Sequence, residues 1–295
     1  MERVVVTNDG WDAVDPKGLR SRGWYRTMRR TFLFILIGLG IVACNIAPST
    51  PEVRNPQESA LWLKEHAIPF ETTQPGSDFA DLQPLKALIG DARLVALGEA
   101  THGTHEFFQM KHRMIEFLVR EMGFTVFALE AYWPEAERIN DYVLSGDGNV
   151  KELLTGLQYW PWNTQEMLDM IEWIRDYNAR RGAAPPVRFS GFDMQNAKLA
   201  LSDLLSYLQT VDPDAAALAE ENTGCFRPYM DYTFQQVEYA QLAADTKAAC
   251  RQDLQAVYDS LSAKQTTYEA RSSPDAVADA LHSARLVIQN ETMAA

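Results

Sequence analysis

Cysteine is scarce. The 295 residues carry three, Cys44, Cys225 and Cys250, and no CxxC pair or Cys/His spacing links them, which excludes zinc fingers and ribbons. Positive charge is also short: Lys+Arg 27 stand against Asp+Glu 40, a formal net charge of −13. No basic stripe follows the first thirty residues, which argues against a nucleic acid partner. An uncharged or cationic small molecule fits such a chain better. There is no GxSxG elbow and no GxxxxGK[ST] loop, and His105-Glu106-Phe107-Phe108-Gln109 lacks the second histidine of HExxH. A covalent serine mechanism, a P-loop and a zincin site are therefore disfavoured. What is present is ordinary for a globular chain, 46% hydrophobic and 23% charged, with enough apolar material for a sizeable core.

Long apolar runs are equally few, and the one that stands out lies near the start. Arg29 and Arg30 precede Phe32 to Val42, followed by Ala43 and Cys44. A basic segment, a short apolar segment and a small-residue site read as a signal peptide over residues 1–43, with Met28 as the start. The run is shorter than the ~20 residues a membrane span needs, although an anchor with a cytoplasmic residue 1–27 segment is the competing reading. Ile41-Val42-Ala43-Cys44 resembles a bacterial lipobox, which implies cleavage before Cys44 and lipidation of its sulfur. The expectation is an envelope lipoprotein held to the membrane by that lipid. Pro48, Pro51 and Pro56 then mark residues 44–57 as an extended tether.

Beyond the tether, helical periodicity alternates with short apolar runs. Helices are expected near Ser59–His66, Leu82–Ile89, Thr104–Glu121, Glu135–Leu144 and Gln165–Arg180. Strands are expected at Leu94–Leu97, Val126–Leu129 and Val187–Phe192. Strand and helix in alternation give an α/β class with a parallel sheet and flanking helices over residues 58–198. From Lys198 the pattern becomes wholly helical, at Lys198–Gln209, Phe234–Leu261 and Asp275–Met293, with breakers at Pro213, Gly224, Pro228 and Pro274. Residues 199–295 therefore read as an all-helical subdomain.

Each expected strand ends in an acid: Glu99 after Gly98, Glu130 after Leu129, and Asp193 after Phe192. Parallel pairing gathers such carboxylates at the carboxyl edge of a sheet, where open α/β folds bind ligands. The loop Gly98-Glu99-Ala100-Thr101-His102-Gly103-Thr104-His105-Glu106 adds two histidines, and a histidine beside a carboxylate is a general base with a fixed tautomer. A single strand-end acid is more often a helix cap, and His105 fits a surface place in the first helical turn. His66, His112 and His282 lack acidic companions in the pattern and read as structural. Asn163 and Glu166 read as a variant capping box, and Tyr159-Trp160-Pro161-Trp162 as either core or an aromatic pocket wall. Water activated by histidine ranks first. A metal held by Glu99, His102, Glu130 and Asp193 ranks second, since no ligand pair has regular helical spacing.

The stretch Leu94 to Phe108, together with Ala128-Leu129-Glu130-Ala131, Tyr159-Trp160-Pro161-Trp162-Asn163-Thr164 and Gly191-Phe192-Asp193-Met194-Gln195, resembles the erythromycin esterase family from about Leu61 onward. The resemblance implies an α/β core with an inserted helical domain and hydrolysis of a macrolide lactone or related small-molecule ester. On it, His102 is the general base and Glu99 the adjacent essential acid, and Lys111 falls where some members place a functional arginine. Glu130 and Asp193 complete the catalytic set. Glu106, His105, Trp160 and Trp162 are the substrate contacts, with no metal and no cofactor required. The family pattern continues with a strand ending in Ala-His-Asn, which these residues do not contain, so the helical part reads as truncated and weak or absent activity is expected. The alternative is a non-catalytic envelope lipoprotein that binds a small ligand or metal in the same cleft. Cys225 and Cys250 are either a disulfide or two unrelated thiols.

Overall fold

Three of the four strands of the sheet are those that the apolar runs foretell, and the fourth comes from the segment expected to be a leader. The computed structural model describes residues 3–7, 55–98, 100–230 and 234–295. Strands β1 (Val4–Thr7), β2 (Leu94–Leu97), β3 (Val126–Tyr132) and β4 (Arg188–Asp193) form one parallel sheet in the order β2-β1-β3-β4. Val5 of β1 faces Val95 on one side and Phe127 on the other and is 1% exposed. Three consecutive valines are well suited to a strand paired on both edges. The exclusion of residues 1–43 from the fold is thus corrected at Val4–Thr7. Cleavage before Cys44 would remove β1, so that processing and this sheet exclude each other in one polypeptide. Cys44 itself lies outside the described residues.

The helices are α1 (Pro56–His66), α2 (Leu85–Ile89), α3 (His105–Met122), α4 (Trp133–Ser145), α5 (Val150–Gly156), α6 (Gln165–Arg180), α7 (Lys198–Val211), α8 (Pro213–Thr223), α9 (Phe234–Ala240), α10 (Ala244–Ala263), α11 (Gln265–Arg271) and α12 (Pro274–Ala294). Helix α3 turns Phe108, Ile115, Leu118 and Val119 into the core, the i, i+3, i+4 spacing of an amphipathic helix. It stops at Gly123, whose φ of 70° is the left-handed C-cap that glycine adopts without strain. The expected helix Phe234–Leu261 is two, because Gln241 and Leu242 hydrogen-bond back to Glu238 and Tyr239 and close a turn before α10. Short α5, α8 and α11 were not foreseen.

Two apolar cores result. One lies around the sheet, with Phe117, Phe127, Leu129, Ile139, Trp162, Ile171 and Phe189 almost fully enclosed. The other lies among α7 to α12, with Leu204, Phe226, Tyr239, Leu254, Tyr268 and Val277. The fold is therefore α/β with an all-helical part. Asn290 of α12 reaches back to it, donating to the Met194 carbonyl at 2.8 Å just after β4. Cys225 and Cys250 are joined by a disulfide, with Cα atoms 5.7 Å apart, which ties the exposed Cys225 to Cys250 of the second core.

Gly191 in β4 has a reason to be glycine: a Cβ there would collide with the Ala131 carbonyl oxygen and press on Ala136 of α4. The β3–β4 register shifts between Leu129 and Tyr132 at this point, so that Tyr132 comes level with Asp193. Residues 11–70 form a separate unit. Within its described part, α1 buries none of its residues, is capped by Asn55 accepting from the Gln57 N–H at 3.1 Å, and stacks Trp62 on His66 with centroids 4.6 Å apart.

Candidate active site

Parallel register brings the ends of the strands level: Thr7 lies opposite both Leu97 and Leu129, and Tyr132 opposite Asp193. The loop leaving β2, the acids of β3 and β4 and the aromatic loop before α6 all belong to this carboxyl edge. Gly103 takes a φ of 73°, which turns the chain between His102 and the N-terminus of α3. Glu99 lies outside the described residues.

His102 is exposed and meets Trp160 edge-on, ring centroids 5.7 Å apart. Trp160 is itself 71% exposed, so it belongs to the rim rather than the core. Trp162, expected beside it as a substrate contact, is corrected to a core residue. It has no exposed surface, its indole N–H donates to the Glu130 carbonyl at 2.8 Å, and its ring meets Phe108 edge-on. The intervening Pro161 starts a short 3-10 turn over Trp160–Trp162, which sends the two indoles to different environments. Glu130 is half-buried on β3, its backbone fixed by that indole.

Asp193 is buried and accepts from the Tyr159 hydroxyl, from the Gln195 backbone N–H at 3.0 Å and from the Gln195 side-chain amide at 3.0 Å. With three donors on it, this carboxylate anchors the Tyr159 loop to β4. Burial first, and then the Asp193 carboxylate, push the Tyr159 hydroxyl well above its ordinary pKa, which keeps it a proton donor to Asp193. The Tyr132 ring packs on Tyr159 at 4.7 Å between centroids. The bond from Tyr159 to Asp193 is what the motif does not announce, since an aromatic loop gives no sign of which ring carries a polar partner.

His105 and Glu166 pair through Nδ1 and Oε1, joining the first turn of α3 to the first turn of α6. Burial raises the Glu166 carboxyl, and the bonds from His105, its own backbone N–H and Thr164 outweigh it and hold the pKa below the usual range. The capping box expected from Asn163 and Glu166 is corrected accordingly. Thr164 is the cap, accepting from the Met167 N–H at 3.3 Å, and Glu166 is engaged across the groove instead. Glu106 is exposed on the first turn of α3. Lys111 is buried, its ammonium 5.6 Å from the Phe108 ring and 5.9 Å from the Trp162 ring, in a small closed space shared with Thr7 and Glu166. It lies about 9 Å along the helix from His105 at 1.5 Å per residue. Among the described residues, no group of three or more His, Cys, Asp or Glu could hold a metal ion.

The erythromycin esterase family model matches residues 119–295. The chain is 36% identical over 135 residues to an erythromycin esterase type II of Escherichia coli, covering 45% of this chain and 31% of that protein. It is 26% identical over 203 residues to a protein described as the putative hydrolase YbfO of Bacillus subtilis (strain 168), covering 68% and 44%. The chain thus spans less than half the length of these curated relatives. Among solved structures, a Bacillus cereus protein superposes with a TM-score of 0.69 at 33% identity, over 82% of this chain and 57% of the other. A succinoglycan biosynthesis protein does so with a TM-score of 0.67 at 30% identity over the same shares. An erythromycin esterase mutant in its open conformation shares the fold, with a TM-score of 0.57 at 18% identity over 75% and 55%. The family model covers more than half of the chain, and the sheet with its helical part shares the fold of a solved erythromycin esterase: the chain belongs to the erythromycin esterase family.

Proposed function

We propose that this chain carries the water-activating site of a carboxylic ester hydrolase, with macrolide lactones among the substrate class to be tested. The observation that carries the reading is the exposed His102 imidazole, on the loop leaving β2 at the carboxyl edge of the sheet and bordered by the Trp160 ring. His102 takes a proton from water as the water attacks the ester carbonyl. Glu99, three residues earlier in the same loop, orients the imidazole and stabilises the imidazolium. Trp160 supplies apolar surface for the substrate, and the His105–Glu166 pair ties α3 to α6 beside it. Lys111, buried on α3, contributes its positive charge to the developing oxyanion through the field rather than by contact.

A location outside the reducing cytoplasm is part of the same reading, supported by the Cys225–Cys250 disulfide and by the rarity of such bonds in the cytosol. The test is hydrolysis of a panel of macrolides and simple esters by purified protein and by His102→Ala. The expected loss is about 10²–10⁴-fold, the usual contribution of a general base. An unchanged rate in the variant, or no hydrolysis across the panel, overturns the reading.

A further inference from the structure

A pocket of about 530 Å³ opens between the first turn of α4, helix α5 and the start of α7, walled by Glu135, Arg138, Glu152, Gln158, Lys198 and Leu199. That volume is within the usual ~300–1,000 Å³ of small-molecule sites, and none of the residues of the proposed ester site lines it. Glu135 is its unusual member. The side chain is 6% exposed, and its Oε2 has no hydrogen-bond partner. A buried carboxylate left without a donor costs free energy unless something supplies one, and the nearest candidate is engaged elsewhere. Arg138 donates to the Pro134 carbonyl at 2.8 Å and to Asp203 at 3.2 Å. Glu135 is itself part of the pocket wall, so a donor that enters the pocket meets this carboxyl group.

The wall points to the class of the missing donor. Glu135 and Glu152 face the pocket against Arg138 and Lys198, and Asp203 sits on Arg138, which leaves the surroundings negative by one charge. A neutral hydroxyl could donate to Glu135 but would leave that charge uncompensated in a partly dry setting. An ammonium group supplies the donor and the charge together, as a charge-assisted bond. Gln158, on the same wall, has a φ of 61°, the one positive φ on a non-glycine among the described residues. Such strain persists where the surroundings over-determine it, and it gathers at ligand clamps.

We propose that this pocket binds a small organic ammonium ion, whose N–H donates to Glu135. Burial pushes the Glu135 carboxyl up to about 7, with its own backbone N–H and Arg138 acting against that shift, so at pH 8 it is the carboxylate that meets the cation. This site is independent of ester hydrolysis by His102.

The test uses cyclohexylammonium and its neutral counterpart cyclohexanol as probes, with affinities from calorimetry or ligand-detected NMR on the whole chain at pH 8. The ammonium should bind at least about tenfold more tightly, and Glu135→Gln should bring the two within about twofold. Leu199→Trp, which keeps Glu135 and fills the pocket, should abolish ammonium binding even if the first variant does not fold. Equal affinities in the native chain, a preference that survives Glu135→Gln, or binding retained in Leu199→Trp would each overturn the proposal.

Discussion

Trp160 sets its ring edge-on to the imidazole of His102 at 5.7 Å while leaving 71% of its own surface to solvent, and Trp162, two residues on, exposes none. The pair separates a rim position from a core position within one motif. Trp160→Ala should change unfolding free energy by no more than about 0.5 kcal/mol, as for other surface changes. It should lower kcat/KM on any ester the protein cleaves by about tenfold, the upper range of an aromatic contact. Stability and kcat/KM measured on one preparation check both halves.

Trp162→Ala should do the reverse. Removing a fully buried indole costs about 3–5 kcal/mol, and the Glu130 carbonyl loses its donor as well. Urea unfolding should show the loss directly. Unchanged stability would remove Trp162 from the core.

The strands at Leu94, Val126 and Val187 were legible because each is a short apolar run with breakers on both sides, and α6 was legible to the residue from its periodicity. The strand at Val4–Thr7 was not. Four residues have too little length to carry a period, and the apolar run at Phe32–Val42 made the whole opening segment read as a leader. At the site, His102 stands out from its loop, whereas the different fates of Trp160 and Trp162 depend on a 3-10 turn that local sequence does not announce. Tyr159 on Asp193 and Glu166 on His105 are contacts between distant segments, which tertiary packing alone decides.

Two buried groups tilt stability with pH in opposite directions. Burial lowers His112 to about 4, against the charge of Asp169, so the unfolded chain binds more protons between about 6.5 and 4 and stability falls as pH drops through that range. Burial raises Glu135 to about 7, so the folded chain binds more protons between about 4.5 and 7 and stability falls as pH rises through it. Each contributes up to roughly 3 kcal/mol. His112→Phe should therefore flatten the acid side of the stability profile, and Glu135→Gln should raise stability at pH 8 more than at pH 4.5. Urea midpoints at pH 4.5, 6 and 8 read both.

Val5→Asp distinguishes the sheet from the leader. In the sheet, an unpaired charge at a position 1% exposed, between Val95 and Phe127, should cost more than about 3 kcal/mol. In a protein cleaved before Cys44 the substitution is discarded with the leader, and the mature chain should unfold as the wild type does. Intact mass of the purified protein, read beside its thermal unfolding, shows which applies.

The disulfide closes 25 residues between Cys225 and Cys250, and chain-entropy arguments put such a crosslink at about 3 kcal/mol. Replacing both cysteines by serine should lower the unfolding free energy of the helical part by that order. A shift below about 0.5 kcal/mol would show that the bond adds nothing to the packing around Cys250.

Because Val4 pairs with both Leu94 and Val126, this strand leaves the ribosome well before either of its neighbours. Its backbone donors and acceptors wait through the synthesis of some ninety residues before one edge is covered, and through some thirty more before the other is. Pairings of such sequence separation slow folding and lengthen the time in which strand edges stay open to other chains. The yield of soluble protein should therefore respond to translation speed and to chaperones that hold extended apolar segments, and it should respond most at the three valines.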